Sequence, residues 1–365
     1  MTQDRYGIDT HKLMFHPERV AAWRSARQEW QELKSIYPLY VEISPFGACN
    51  HRCTFCALDY MGYKPHSLPL TIMKNRLAEM GKLGVKSVMF AGEGEPLLYK
   101  EINELAASAV SAGIDIAFTT NGVLMNQDFI ETTLPQTSWI KVSCNAGTPE
   151  TYSLVHNTSP KDFIRVCENL TKAVQIRDAH QTKVAIGVQM LLLPENASEA
   201  EILARICRDE IGADYLVIKP YSQHKQSLTR KYETIDYNNW LYLEEALAKL
   251  NNNRFHVVFR TQTMRKYLKK RVYETCLSTP FFWAYVASSG DLYTCSAYLG
   301  DQRFNIGNLL ENDFKTIWEG SNRKANWELI KSGLDIESCR LNCRMDAINI
   351  YLWQLKNPPY HVNFI

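Results

Sequence analysis

Cys49-Asn50-His51-Arg52-Cys53-Thr54-Phe55-Cys56, placed just after the apolar stretch Leu39 to Phe46, decides how this 365-residue chain is read. The spacing is C-x3-C-x2-C, which gathers three thiols on one tight loop. Iron–sulfur clusters usually take four cysteine ligands, so a compact trio points to a 4Fe–4S cubane with one iron left for a ligand other than protein. Zinc is the rival, because thiolates at short spacing also build tetrahedral sites with a fourth Cys or His. His51 lies inside the loop, too cramped to cap the same ion. Packing alone is a poor account of the trio, since Asn50, His51 and Arg52 make the loop polar rather than core-like.

A second motif, Gly92-Glu93-Gly94-Glu95-Pro96, follows the apolar run Ser87 to Ala91 and precedes a helix-like segment. Glycines there let the backbone approach a ligand closely, although by itself the run reads as a strand-to-helix turn. Together the two motifs resemble the radical S-adenosylmethionine (radical SAM) superfamily. The resemblance implies that Cys49, Cys53 and Cys56 hold a 4Fe–4S cluster. It also implies that Gly92, Glu93, Gly94, Glu95 and Pro96 form the G-G-E-P-like segment that binds the amino group of the SAM methionine, with Glu93 replacing the second family glycine.

Short β-like runs alternate with helix-like ones from Leu39 to about Pro220, the pattern of a parallel α/β sheet. The expected strands are Leu39 to Phe46, Ser87 to Ala91, Ile114 to Thr119, Trp139 to Cys144, Lys183 to Leu192 and Tyr215 to Lys219, with helices such as Ile72 to Leu83 and Phe163 to Ile176 between them. Six such units predict a partial (β/α)6 barrel over residues 39–255. Residues 1–38, with the Trp-bearing stretch His16 to Leu33, read as a helical extension before it, and 256–365 as a smaller unit after it. In such sheets ligands gather at the carboxyl ends of the strands, where the cysteine loop, Gly92 to Pro96 and Thr119-Thr120-Asn121-Gly122 all fall. The fourth strand carries Lys141-Val142-Ser143-Cys144-Asn145-Ala146-Gly147, similar to the family's V-S-L-D-G stretch; by period two, Ser143 and Asn145 point inward and Cys144 outward. The resemblance implies cofactor contacts from Thr120, Asn121, Ser143, Asn145 and Gln189. Cys144, Cys167 and Cys207 lie among apolar neighbours and read as buried thiols.

Four further cysteines, Cys276, Cys295, Cys339 and Cys343, lie beyond the barrel. Phe282 to Ser288 and Leu292 to Tyr298 read as strands joined by Ser289-Gly290, a hairpin signal. Ile306-Gly307-Asn308-Leu309, Ile317-Trp318 and Cys339-Arg340-Leu341-Asn342-Cys343 follow. This resembles the SPASM and twitch extensions of radical SAM enzymes, hairpin-plus-helix units that carry auxiliary 4Fe–4S clusters. Four cysteines match the shortened, twitch-like form with one auxiliary cluster; zinc on the same thiolates is the alternative. The tail Asn357 to Ile365 is expected to dock on the barrel after Pro358 and Pro359 end the preceding helix.

Forty-one Lys and Arg against 39 Asp and Glu leave a net charge of +2, so no nucleic-acid footprint is expected. The N-terminal stretch lacks a signal-peptide core, and no run of about 18 apolar residues reads as a membrane span. The chain is expected in the cytoplasm, where ten cysteines are better read as ligands and buried thiols than as disulfides. The family mechanism implies reductive cleavage of SAM to a 5′-deoxyadenosyl radical, driven by an electron donor such as flavodoxin or ferredoxin, and hydrogen abstraction from a substrate carbon. An auxiliary cluster that accepts a second electron gives oxidation, whereas epimerisation needs a hydrogen donor such as a thiol on the opposite face. With the spare cysteines read as core, the expectation is oxidation of a small sugar-like or polyol substrate; the alternatives are cross-linking or epimerisation of a peptide, or epimerisation of a sugar. Lys219, Tyr221 and His224, near strand ends, are candidate substrate contacts; no catalytic base is assigned.

Overall fold

Strands buried on both faces read as near-continuous apolar runs, and the parallel strands here do so: Val88, Met89 and Phe90 are all buried, as is every residue but Leu191 in Ala185–Leu192. The computed structural model describes residues 5–8, 10–27, 29–265, 271–340 and 342–364. Residues 1–4, Asp9 and Gln28 of the N-terminal extension and residues 266–270, Leu341 and Ile365 of the C-terminal unit lie outside the described residues. Seven strands run parallel as neighbours in chain order: β1 (Tyr40–Ile43), β2 (Ser87–Phe90), β3 (Asp115–Thr120), β4 (Thr137–Ser143), β5 (Ala185–Leu192), β6 (Tyr215–Pro220) and β7 (His256–Phe259). Beyond β1 the same sheet continues through β8 (Trp283–Val286), parallel to β1, then β9 (Asp291–Tyr293) and β10 (Asn305–Asn308), both antiparallel.

Helices cover the outer face through apolar positions three and four apart. Leu70–Lys82 buries Met73, Leu77 and Met80, and Pro160–His180 buries Phe163, Val166, Leu170, Ala173 and Val174. The latter starts before the expected Phe163 because Ser159 caps Lys161 N–H and Pro160 fits the first turn.

Several expectations are corrected. The parallel sheet has a seventh strand, β7, just past the expected boundary at 255; its half-buried His256-Val257-Val258-Phe259 is short and weakly patterned. The hairpin is not detached, since β8 extends the barrel sheet with Tyr40 opposite Trp283. The stretch His16 to Leu33 forms two helices, Pro17–Ser25 and Trp30–Leu33, separated near Arg27, whose φ is +30°. Its apolar side packs on the C-terminal unit, as Val20, Trp23 and Leu33 join Phe281, Phe282 and Trp327 in one core. Arg323, fully buried, fastens that joint by donating to the carbonyls of Lys34, Ile36, Pro280 and Trp318. The C-terminal tail does not dock: Tyr360 is 96% exposed and Phe364 85%.

Candidate active site

Both cysteine groups open onto one cavity of about 620 Å³. Cys49, Cys53 and Cys56 enter from the loop after β1; Cys276, Cys295, Cys339 and Cys343 enter from the C-terminal unit. The first loop is strapped to the helix Pro149–His156, since Arg52 N–H and Thr54 N–H donate to the carbonyls of His156 and Val155. Asn121 Nδ2 donates to Asn50 Oδ1 at 2.7 Å, tying the loop to the end of β3.

The thiols of this loop are surrounded by donors. His51 N–H reaches Cys49 Sγ at 3.4 Å, and the Tyr63 hydroxyl bonds Cys56. His156 Nδ1 lies 3.3 Å from Cys53 Sγ. A backbone N–H can only donate, so the Asn145 amide, 3.2 Å from His156 Nε2, makes Nε2 the acceptor and leaves the ring proton on Nδ1. Burial, followed by the nearby His51, holds His156 well below the usual imidazole range, so the ring is neutral and donates to Cys53. His51, Cys53 and His156 bring their ligand atoms within 4.8 Å of one another, but a protonated Nδ1 gives His156 no lone pair there for zinc. Burial pushes the Cys53 thiol far up, with Cys56 and Cys49 adding to it, and the Cys49 thiol up to about 11. Crowded thiols ionise when a metal centre displaces their protons and supplies the counter-charge, and three of them on a rim with N–H and O–H donors fit a cluster held by three cysteines.

Glu95 is the fixed carboxylate of the site. It is buried, its Oε1 accepts from Leu97 N–H (3.0 Å) and Thr120 Oγ1 (2.5 Å), and its Oε2 accepts from Asn121 N–H (2.8 Å). Gly94 is needed for the close approach: a Cβ would sit 2.1 Å from the Phe46 carbonyl. Gly92 has φ +118°, a backbone that side-chain-bearing residues rarely adopt. Gly92, Gly94, Glu95, Thr120 and Asn121 all line the cavity, as do Ser143 and Gln189, which are neighbours in the β4–β5 register.

Three expected cofactor contacts turn elsewhere. Glu93 accepts from Ser288 N–H (2.8 Å) and the Tyr285 hydroxyl, clamping the motif to β8. Pro96 is buried at the start of a short helix, Pro96–Leu98. Asn145 lies past the end of β4, so strand alternation no longer governs it. Its Oδ1 accepts from Leu191 N–H and its carbonyl from Asn196, which makes it a fully buried brace behind the site. Cys144 and Cys207 are buried as expected, but Cys167 is only partly covered and borders a separate surface hollow. Lys219 and Tyr221 line the cavity; His224 is fully buried behind Tyr60, stacked at 4.9 Å.

The four C-terminal thiols are gathered by contacts distant in sequence. Asn349 Nδ2 lies 3.5 Å from Cys276 Sγ, while its Oδ1 accepts from the Leu277 and Ser278 amides. The Tyr298 hydroxyl is 3.4 Å from Cys339 Sγ, and Met345 N–H donates to Cys343 Sγ at 3.4 Å. Arg271 donates to the carbonyls of Ile336, Cys339 and Arg340. Burial pushes Cys343 up to about 12, with Cys276 and Cys339 contributing. Four mutually repelling thiols with these donors fit a closed, four-cysteine cluster.

Sequence reasoning named Lys219 but missed His156, Asn349 and the other cations of the lining, Lys141, Arg260, Arg271, Arg340 and Arg344. Lys141 was within reach: it sits two residues before Ser143 and shares its inward face.

Residues 43–206 match the Radical SAM superfamily, and residues 276–344 match the SPASM iron–sulfur cluster-binding domain. The chain is 38% identical over 90 residues to a GTP 3′,8-cyclase of Chlorobaculum tepidum, covering 24% of this chain and 27% of that protein. It is 26% identical over 162 residues to an S-adenosylmethionine-dependent nucleotide dehydratase of Lacinutrix mariniflava, covering 40% and 33%. The chain therefore spans about a third or less of the length of these two relatives. Streptococcus suis SuiB bound to its precursor peptide SuiA shares the fold, with a TM-score of 0.66 and 19% identity over 94% of this chain and 77% of that one. Among the described residues no helix is long and apolar enough to cross a membrane.

Proposed function

Starting from a chain that is a radical SAM superfamily enzyme with a C-terminal SPASM-type iron–sulfur cluster domain, we propose that it oxidises a small sugar-like or polyol substrate by two electrons in the cavity between its cysteine groups. Seven cysteines from two groups opening onto that one cavity carry the proposal. A thiol-dependent epimerase needs a further thiol facing the substrate, and the three cysteines outside the two groups do not line the cavity: Cys144 and Cys207 are buried and Cys167 borders another hollow.

Cys49, Cys53 and Cys56 would hold the first cluster, and Cys276, Cys295, Cys339 and Cys343 the auxiliary one. SAM on the open iron supplies, when bound and reduced, the 5′-deoxyadenosyl radical that removes a hydrogen atom from the substrate. Glu95, its oxygens already oriented by Thr120, Asn121 and Leu97, offers a pre-aimed carboxylate to the SAM ammonium. Ser143 and Gln189 offer polar contacts on the adjacent strands, and Met89, Ala91, Leu191 and Trp283 supply apolar wall that excludes water from a reactive intermediate. His156, held as the Nδ1–H tautomer, donates to the Cys53 sulfur and would raise the potential of the cluster there. The first electron comes from an external donor such as flavodoxin or ferredoxin, in a reducing cytoplasm.

Two relatives are named for nucleotide chemistry, which favours small phosphorylated molecules over peptides; the likeness to peptide-bound SuiB, at 19% identity, speaks for the fold alone. Anaerobic reconstitution should give iron and sulfide for two 4Fe–4S clusters, and SAM with a strong reductant should yield 5′-deoxyadenosine. Deuterium passing from a labelled sugar into that product identifies the attacked carbon. A mononuclear metal at the first loop, or no 5′-deoxyadenosine, overturns the proposal.

A further inference from the structure

The cavity between the cysteine groups is strongly cationic. Lys141 of β4, Lys219 of β6, Arg260 at the end of β7 and the C-terminal Arg271, Arg340 and Arg344 all face it, against Glu42, Glu95 and Asp346. Most of these charges are already engaged. Arg344 pairs with Glu42 and stands beside Cys343; Arg271 holds the carbonyls around Cys339; Arg340 donates to the Ser222 carbonyl at 3.0 Å. Glu95 already accepts from three donors and is the carboxylate assigned above to the SAM ammonium, and Asp346 accepts from the Tyr273 hydroxyl at 2.8 Å.

Lys141 and Lys219 differ. Among the described residues neither ammonium has a hydrogen-bonded or ion-paired partner; Lys141 only lies over the Trp139 ring, 5.5 Å from its centre. The two strands that carry them flank β5, where Gly187 stands beside Lys141 and Leu191 beside Lys219, so both side chains enter the barrel from one inner wall. Burial, then the charges of Lys141, Arg260, Arg344 and Arg340, hold Lys219 well below the ordinary lysine range, and burial with Arg344 and Arg260, only partly offset by Glu42, holds Lys141 at about 8. The cysteine groups have cations of their own: Arg52 acts on Cys49, Arg271 and Lys225 on Cys339, and Arg344 on Cys343. Glu42 acts on Lys141 from a distance but is itself paired with Arg344, so two enclosed amines without a bonded partner are costly to keep charged unless a ligand supplies the counter-charge.

We propose that Lys141 and Lys219, with Arg260 beside them, form an oxyanion clamp, so that the substrate carries a phosphate or diphosphate group. A carboxylate brings one negative charge, whereas a phosphate monoester brings nearly two and three oxygens to distribute among converging donors. The clamp sits on the strand walls, and the rest of the substrate extends from it toward the two cysteine groups. This assignment rests on the cavity being the substrate site of the proposed oxidation.

The probes are inorganic phosphate and inorganic pyrophosphate, titrated calorimetrically into the reconstituted enzyme saturated with SAM, in a buffer free of other polyanions. One saturable site per chain is expected, with the tighter of the two probes telling a monoester from a diphosphate. Lys141→Met and Lys219→Met should each weaken that binding tenfold or more while the SAM-induced change in the cluster's EPR spectrum persists. Loss of that spectral change would assign the lysines to the SAM carboxylate and overturn the clamp, as would absent binding or binding equal in parent and variants. If neither variant folds, the unaltered enzyme decides: pyrophosphate should protect Lys141 and Lys219 from acylation by a succinimidyl ester, read by peptide mass spectrometry, and unprotected lysines refute the clamp. Anion binding without any 5′-deoxyadenosine from SAM would instead sink the proposed oxidation and leave the anion site standing.

Discussion

The two cysteine groups of this molecule face the same cavity but are built in opposite ways. Cys49, Cys53 and Cys56 belong to one run of eight residues, whose geometry is set by a single loop braced against one helix end. Cys276, Cys295, Cys339 and Cys343 come from separate segments, before β8, after β9 and on either side of Leu341, and meet only because Arg271, Tyr298 and Asn349 hold those segments together. A local site needs little chain closure to form, whereas the distributed one needs the C-terminal unit folded first. The first group should thus tolerate disruption of the second, and the second should be the more fragile.

The largest effect that would break this comparison comes from the ligands themselves. Cys53→Ser should abolish 5′-deoxyadenosine formation, whereas Cys295→Ser should halve the iron content yet leave SAM cleavage measurable, with the product of the proposed oxidation lost. Iron analysis and product chromatography read both outcomes, and loss of both clusters in Cys295→Ser would show that the sites are not independent.

Next come the residues that gather the distributed site. Asn349→Ala removes the acceptor of two amides and a contact to Cys276, and should lower the retention of the auxiliary cluster by roughly 10–100-fold, the usual scale for outer-sphere ligand supports. Spectroscopically followed chelator challenge should find the first cluster unaffected.

Glu93 joins the two regions, so its removal sharpens the comparison further. Glu93→Gly restores the family's glycine but leaves Ser288 N–H and the Tyr285 hydroxyl buried without their acceptor. It should cost about 1–3 kcal/mol of stability, from the desolvation of unpaired polar groups, measured by denaturant midpoint. An unchanged midpoint would mean the clamp to β8 is dispensable.

The smallest effect concerns His156. Replacement by Phe removes the imidazole N–H directed at Cys53 Sγ and should move the first cluster's potential to a more negative value, by tens of millivolts at most, since hydrogen bonds to sulfur favour the reduced state. EPR-monitored potentiometry reads this, and the auxiliary cluster is the internal control. A shift shared by both clusters would point to a general structural change.

Much of the barrel was legible because its information is local. Alternating apolar runs and helix-like segments predicted β1 to β6 to within a few residues, with ends misjudged where a cap or a proline decides, as at Ser159-Pro160 and Ser44-Pro45. The return of β8 to the free side of β1 was not legible, since nothing in Trp283–Val286 names its pairing partner. Asn145 was misplaced because alternation was carried past Ser143, where the strand stops. The tail Asn357 to Ile365 was expected to dock, but apolar composition alone does not supply a surface to receive it.

The amino-acid sequence by itself determined that Cys49, Cys53 and Cys56 share one loop and which glycine-rich turn follows the second strand, because short spacings and strand-to-helix punctuation act within a few residues. Only the tertiary structure decided that both thiol groups share one cavity, that Glu93 bonds the β8 end of the sheet, and that Lys141 and Lys219 enter that cavity from one inner wall without a bonded partner among the described residues. Those facts depend on register between strands far apart in the chain, and on burial, which belongs to the packed molecule and to no single residue.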